Sequence, residues 1–552
     1  MLVAVVVTAH AEQCCARAEQ LAAENLSLRA EVRGLRADKR GLLAKVADLE
    51  GLVSTLGQTV ATYAKMLFGT SSEKQPPAKA EEPPRGPNAG ASTGRDASGE
   101  GAKRRRGKQP GTAGHGRRDY EELDVEEQVH NVPEGERACP CCGAPYEPFG
   151  EETSTQVDWK VRLIRVLHRR RTYRRTCRCA SRAIVAAPVV PKPIAKGLFT
   201  EAFLARLLTE KFVLGRPLHR IAAALAHDGL RVSEGTLTGV LRQLSSLLGP
   251  LDAQITARGS ASGHLHIDET SWKVFEAVED KENFRWWLWA FLGPDTSVFK
   301  IAPTRSTQVL AEHLGIDLSA DELEAGRHLV VSSDFYGAYQ SIAKIDGVEP
   351  LWCWAHIRRY FIRAADAHGS LRDWSKAWLE RIAALYAAHR RFGDAEPGSA
   401  AAASATTQLA VALEVIDRSR KAESDGGLHW AAQEVLATLD HEWEGLARHL
   451  EYPHLPLDNN RAERALRGPV VGRKNFYGSG TTWSAELAGR VWTVTATASQ
   501  RGLNPLVYLT SYLEACARSG SRPPEGEALE RFLVWQAAEV DLEAWRYRGP
   551  GP

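Results

Sequence analysis

The chain of 552 residues lacks any apolar run of the roughly 18 residues that a membrane-spanning helix needs, so no partner membrane is expected. It also lacks a charge bias. Seventy basic against 68 acidic residues leave +2, so only local charge runs can argue for an acidic partner. Cysteine is scarce and clustered: Cys14 and Cys15, then Cys139, Cys141 and Cys142, then Cys177 and Cys179, with Cys353 and Cys516 apart. That distribution excludes a disulfide framework spread along a secreted chain and points to the cytoplasm. The apolar opening 1–9 lacks the positively charged start of a signal peptide and reads as a ragged terminus or early coil. What is present is ordinary for a globular protein. A content of 43% hydrophobic and 25% charged residues rules out wholesale disorder, and the length predicts about three to five domains.

Leucine recurs every seventh residue at Leu21, Leu28, Leu35, Leu42, Leu49 and Leu56. With these at d, the a positions are Asn25, Val32, Lys39, Val46, Val53 and Val60, a pattern that favours a parallel two-stranded coil. The g-to-e′ pairs Glu24 with Arg29, Glu31 with Arg36 and Lys45 with Glu50 are opposite in charge. Residues 12–68 are therefore expected to form a leucine zipper that makes a homodimer. Residues 69–122 are Pro-, Gly- and Ser-rich and read as a disordered linker. It carries a basic run that includes Arg104, Arg105 and Arg106, which suits a solvated tail or a flexible phosphate-binding arm.

Residues 123–192 read as a small zinc-ribbon-like module. Cys139 and Cys142 precede, and Cys177 and Cys179 follow, a basic segment containing Arg169, Arg170 and Arg174. Four thiolates can hold a structural Zn²⁺ in place of a core too small to form. Within it, the alternation over 159–167 predicts a strand with one basic face. Residues 193–258 are helical, with Pro217 opening one helix and Ser233 capping the next, in the manner of a helix-turn-helix or of any packed helix pair.

After Gly263 the period changes to two. The expectation is strands at 264–275, 285–293, 297–304, 328–335 and 349–355, with a helix at 306–315, forming a mixed sheet covered by helices. Asp268 lies inside the first strand and Asp334 ends the fourth. Each alone reads as a surface or turn acid, but neighbouring strands would bring them together, and two acids without a base suggest a divalent metal site. After Pro456, Asn460 and Glu463 fit a capping box. Glu463 also stands among Arg461, Arg464, Arg467, Arg473 and Lys474, a composition suited to metal and phosphodiester together. Cys353 and His356 read as structural or DNA-contacting rather than as ligands. Over 475–480, glycines beside basic and aromatic residues suit either a close approach to DNA or a plain turn.

The heptads, basic linker and paired cysteines are followed by His-Ile-Asp-Glu-Thr, Ser-Asp-Phe-Tyr-Gly-Ala-Tyr, Cys-Trp-Ala-His-Ile-Arg-Arg and Asp-Asn-Asn-Arg-Ala-Glu-Arg. This order resembles the IS66-family transposases over nearly the whole chain. It departs from the family's usual wider spacing at Cys177-Arg-Cys179. The resemblance implies a multidomain α/β protein with an RNase H-like core at 259–356 and 454–498, a helical insertion at 357–453 and a C-terminal helical tail at 499–552. It implies a catalytic triad of Asp268, Asp334 and Glu463 holding Mg²⁺, two ions or Mn²⁺ in their place, in an enzyme that cleaves and joins DNA. The partners it implies are double-stranded DNA at the element ends and target, and small accessory proteins of the same element, in the bacterial cytoplasm at the nucleoid. The readings that compete with it are an inert DNA-binding regulator and a nuclease without strand transfer.

The zipper is open to test. Replacing Leu35 and Leu42 by glutamate puts charge on the seam, and light scattering should show the dimer converted to monomer.

Overall fold

Alternating apolar residues need a second layer to bury against, and this chain supplies helices for both faces of one sheet. The structure, a computed structural model, describes residues 191–547 except 280–282, 325 and 424–426, together with scattered positions between 127 and 190. The heptad segment 12–68, the linker with Arg104, Arg105 and Arg106, and Cys177 and Cys179 lie outside the described residues.

A two-stranded antiparallel ribbon pairs β1 (Thr172–Arg174) with β2 (Ile184–Ala186). The strand expected at 159–167 is not formed over its described residues, 162–167. Ile164, Val166 and Leu167 are exposed there, so among the described residues the alternation has no layer to bury its apolar side and no partner strand.

The helical region opens with α1 (Glu201–Leu208), where the hydroxyl of Thr200 accepts the N–H of Phe203. A π-helical turn over Thr209–Val213 follows. Then come α2 (Leu218–His227) after Pro217 and α3 (Glu234–Ser260), capped by Ser233 Oγ, which accepts from Thr236 N at 3.1 Å. The strands are β3 (His264–Lys273), β4 (Arg285–Leu292), β5 (Ser297–Ala302), β6 (Leu329–Ser333) and β7 (Val348–Trp352). Helix α4 (Thr307–Leu314) joins β5 to β6, and α5 (Gly337–Ile342) joins β6 to β7. The expected helical insertion is α6 (Trp354–Ala367), α7 (Arg372–Asp394), α8 (Ala400–Glu423), α9 (Trp430–His441) and α10 (Trp443–Ala447). The chain returns to the sheet through α11 (Asn460–Phe476) and α12 (Thr482–Gln500). It ends with α13 (Pro505–Arg518), α14 (Glu527–Glu530) and α15 (Glu539–Trp545).

The sheet order is β5-β4-β3-β6-β7. Strands β3, β4 and β5 form an antiparallel meander, and β6 and β7 continue parallel to β3. Trp272 of β3 faces one layer, against Phe476 of α11 and Trp492 of α12, while Trp289 of β4 faces the other, against Tyr339 of α5. The C-terminal helices are buried components of the same core. Tyr508, Leu509, Tyr512 and Leu513 are buried, and the Tyr512 hydroxyl donates to Leu247 O of α3 at 2.7 Å.

An edge strand presents unpaired N–H groups, and β5 solves this with threonines. Ser297 N donates to Thr497 Oγ1 and Phe299 N to Thr493 Oγ1, each at 3.0 Å, from one face of α12. The helix comes this close because Gly489 has no side chain: a Cβ there would lie 2.8 Å from the Phe299 carbonyl oxygen. Thr493→Val keeps the shape but orphans the Phe299 N–H, and urea unfolding should show a loss of about 1–3 kcal/mol. Gly489→Ala should shift the transition in the same direction by wedging α12 off the edge.

Candidate active site

Pleating puts alternate residues of a strand on one face. In β3 the face carrying α11 therefore holds His264, His266 and Asp268, and the opposite face holds Glu269. Parallel pairing sets His264 opposite Val330 and His266 opposite Ser332, with His264 Nε2 2.9 Å from Ser332 Oγ. Asp268 and Asp334 each lie two residues beyond that last pair, so register alone brings them side by side. Asp334 Oδ1 accepts the N–H of Tyr336 at 3.0 Å, and Asp268 Oδ1 accepts the N–H of Glu269 at 2.9 Å.

Glu463 arrives on α11. The expected capping box of Asn460 with Glu463 is not formed: the capping position is Asn459, and its side chain makes no capping bond. Asn459 Nδ2 donates to Ile267 O at 2.7 Å, its Oδ1 faces His266 Nδ1 at 3.1 Å, and its backbone N–H points at Cys353 Sγ at 3.2 Å. With Nδ2 spent on a carbonyl, Oδ1 is the acceptor, and His266 carries its proton on Nδ1. Burial pushes His266 down to about 4, against the Asn459 bond, and burial together with His266 pushes His264 down to about 3. Both rings are neutral at pH 7. Asp458 Oδ1 takes the Asn460 N–H in place of a cap.

Burial raises the Asp268 carboxyl well above the usual range, and the charges of Glu269, Asp334 and Glu463 raise it further. The three acids expected from the sequence thus act on one another. One cation answers them directly: a single guanidinium nitrogen of Arg359 on α6 donates to both oxygens of Glu463, each at 3.0 Å. His356 Nε2 lies 3.2 Å from the same guanidinium and 3.9 Å from Glu463. Among the described residues no three His, Cys, Asp or Glu side chains stand close enough to share one ion. Like charges repel, and Arg359 is what Glu463 turns to instead. The donor set still suits a hard divalent cation. Among the described residues Asp268 has an oxygen without a hydrogen bond and no cation bonded to it, and Glu463 would have to exchange Arg359 for the ion to join such a site.

Sequence reasoning passed over Glu269. Its carboxylate is buried between the Tyr339 hydroxyl and Arg305, whose Nε donates at 2.7 Å. Arg305 in turn lies over the rings of Tyr336 at 3.6 Å and Trp287 at 4.8 Å. The available signal was the strand period, which puts residue 269 under a covered face where a carboxylate requires a cation. Burial raises Glu269 as well. Cys353 is structural, as expected, buried and pushed up to about 12.

The remaining sites are dispersed. Cys139 and Cys142 flank a tight turn, with Cys139 N donating to Ala144 O and Gly143 N to Cys139 O, and with Gly143 at φ 74°. Arg169, Arg170 and Arg174 are exposed, and Arg170 bonds Ala187 O. Arg464, Arg467 and Lys474 are exposed along α11, and Arg473 reaches back to Thr270 and Ser271 of β3.

Fold and cluster together define a mixed α/β protein in which acids from two adjacent parallel strands and one helix meet beside arginines. Residues 196–487, just over half of the chain, match the transposase IS66 family, and the chain belongs to that family. Relatives in Sinorhizobium fredii include the uncharacterized proteins y4qI and y4hP. Each is 26% identical over 76% of this chain and over 76% and 77% of its own length. The uncharacterized protein y4jD of the same organism is 26% identical over 72% of this chain and 78% of its own.

A raised carboxyl means that the folded state binds the proton more tightly than the unfolded one. Stability is therefore lost as pH rises through that interval, and the charge is a cost at pH 7. In EDTA, Asp268→Asn should raise Tm at pH 7, by ~2–4 °C for each kcal/mol recovered. The gap should close as pH falls toward 4. Thermal melts at the two pH values check it.

Proposed function

We propose that the protein is the DNA transposase of an insertion sequence. It binds terminal inverted repeats, cleaves a phosphodiester and joins the freed 3′-hydroxyl to target DNA. The core is RNase H-like, with Asp268, Asp334 and Glu463 as an Asp-Asp-Glu triad for two Mg²⁺ or Mn²⁺ ions. The observation that carries this reading is the strand register that sets Asp334 beside Asp268, with the charges of Asp334 and Glu463 both acting on the buried Asp268 carboxyl. Membership of the IS66 transposase family supports it.

Ions held by Asp268, Asp334 and Glu463 would supply activation of a water and stabilisation of the leaving oxygen. The chain's own residues do the rest. Asp268 and Asp334 lie side by side through strand register. Glu463 gives up Arg359, which leaves that guanidinium at the cluster as a contact for the scissile phosphate. Arg464, Arg467, Arg473 and Lys474 line the approach along α11, and the exposed Arg169, Arg170 and Arg174 of the ribbon and the basic run Arg104, Arg105 and Arg106 are further proposed DNA contacts. Cys139, Cys142, Cys177 and Cys179 hold structural Zn²⁺. The zipper pairs two subunits, which suits a reaction that needs two ends. Small accessory proteins of the same element are proposed partners. No described helix is long and apolar enough to cross a membrane, and the proposed location is the bacterial cytoplasm at the nucleoid.

The test uses end-sequence DNA, Mg²⁺ and a labelled 3′-hydroxyl strand. Asp268→Asn, Asp334→Asn and Glu463→Gln should each abolish cleavage and leave end binding largely intact, because the amides keep size and lose charge. Near-normal metal-dependent cleavage by one variant removes that residue from the triad. Cleavage without joining by the wild type would make the protein a nuclease, and binding without cleavage a regulator. Independently of activity, Mg²⁺ should raise the Tm of the wild type and not that of Glu463→Gln.

A further inference from the structure

Past the acidic cluster, the end of β3, the start of β4 and the end of α11 close around a cavity of about 270 Å³. Ser271, Lys273, Arg285, Arg473, Lys474 and Tyr477 line it. Four cations and no acid stand there, and among the described residues none of the four is paired with a carboxylate. Glu276, farther along the chain, is occupied by the Thr482 N–H at 2.6 Å. Arg473 is pre-positioned, with Nη1 donating to the Ser271 carbonyl, to Ser271 Oγ at 3.1 Å and to Thr270 Oγ1 at 3.2 Å.

Tyr477 carries the second, independent observation. It ends α11 in the left-handed region at φ 66° and ψ −15°, a conformation that favours glycine. Both sides of it are tied down. Its own N–H donates to Arg473 O at 2.7 Å. Gly478 follows at φ 143°, where a Cβ would overlap the Lys273 carbonyl oxygen. Then Ser479 N donates to Lys273 O at 2.8 Å, Phe275 N to Ser479 O at 2.9 Å and Trp272 Nε1 to Ser479 Oγ at 3.1 Å. On this fixed backbone Tyr477 is 71% exposed. Stability alone would favour a glycine, which relieves the backbone and removes apolar surface from water. Strain of this kind, kept in place by its surroundings, points to function.

Clustered cations beside an exposed ring on a fixed backbone are how proteins take single-stranded nucleic acid: charge holds phosphates, and the ring stacks on bases. The cavity has room for one nucleotide and not for a duplex. Ser271 and Lys273 lie three and five residues beyond Asp268, roughly 10 and 17 Å along the strand. That is about three to five base steps at 3.4 Å each.

We propose that this pocket is a nucleotide subsite, in which Lys273, Arg285, Arg473 and Lys474 hold phosphodiesters of one DNA strand and Tyr477 stacks on an unpaired base beyond the duplex at the carboxylates. The proposal rests on the transposase reading and adds to it a preference for DNA with a single-stranded extension.

The full chain is titrated with a labelled end duplex, blunt or carrying a three-nucleotide overhang, over a range of salt. The wild type should bind the overhang duplex about 5- to 100-fold more tightly than the blunt one, the range for one stacked base. Tyr477→Phe should keep the preference. Tyr477→Gly should lose it and hold blunt-duplex affinity while its Tm rises, a pairing that a merely structural tyrosine would not produce. Arg285→Gln and Lys273→Gln should each lower the salt dependence of binding by about one phosphate contact. Equal binding of the two duplexes by the wild type, an overhang preference that survives in Tyr477→Gly, or competition by free deoxynucleotide without any overhang preference overturns the subsite alone. A wild type that binds neither duplex overturns the transposase reading and the subsite with it.

Discussion

The side chain of Asn459 is the joint on which the site depends. Its amide clasps the Ile267 carbonyl and the His266 ring in β3, and its backbone N–H meets Cys353 at the end of β7. These bonds are buried, where a hydrogen bond is strong and an orphaned group costly. They fix the first turn of α11 against the sheet after nearly a hundred residues of helical insertion. Glu463 is one helical turn farther on, so its position beside Asp268 and Asp334 follows from that clasp. Neutral His266 belongs to the same arrangement, since a charged ring would add a cation that has no carboxylate to face.

Around this joint the protein keeps more negative charge than its own cations neutralise. Glu269, on the far face, is fully answered by Arg305 and Tyr339. On the near face, Asp268 and Asp334 accept backbone N–H groups and, among the described residues, no guanidinium hydrogen bond, while Arg359 bonds Glu463. Two faces of one strand thus treat adjacent carboxylates in opposite ways. One is satisfied internally and holds the layers together, and the other has no cation bonded to it among the described residues.

The sheet was legible because strand alternation is a local signal. All five strands fall within two or three residues of their expected limits. The end of β3 was overestimated at 275 because Val274 and Phe275 pair with Ser479, from a segment about 200 residues later. Periodicity misled at 159–167, where alternation exists without a layer to receive it. Residues alone left Asp268 and Asp334 as ordinary surface or turn acids, and family resemblance supplied the triad. The clasp of Asn459 and the pairing of Arg359 with Glu463 join residues 193 and 104 positions apart, and nothing in either local pattern announces its partner. The zipper and the second pair of cysteines fall outside the described residues.

The threonines that cover β5 lie 194 and 200 residues downstream of the groups they satisfy. A ribosome adding about 5–20 residues per second leaves that edge open for roughly 10–40 s. During this interval a finished strand offers its free amides to any neighbouring nascent chain. A low concentration of nascent chains therefore favours correct assembly. Copies truncated before α12 would expose the same edge permanently, which favours their aggregation or proteolysis.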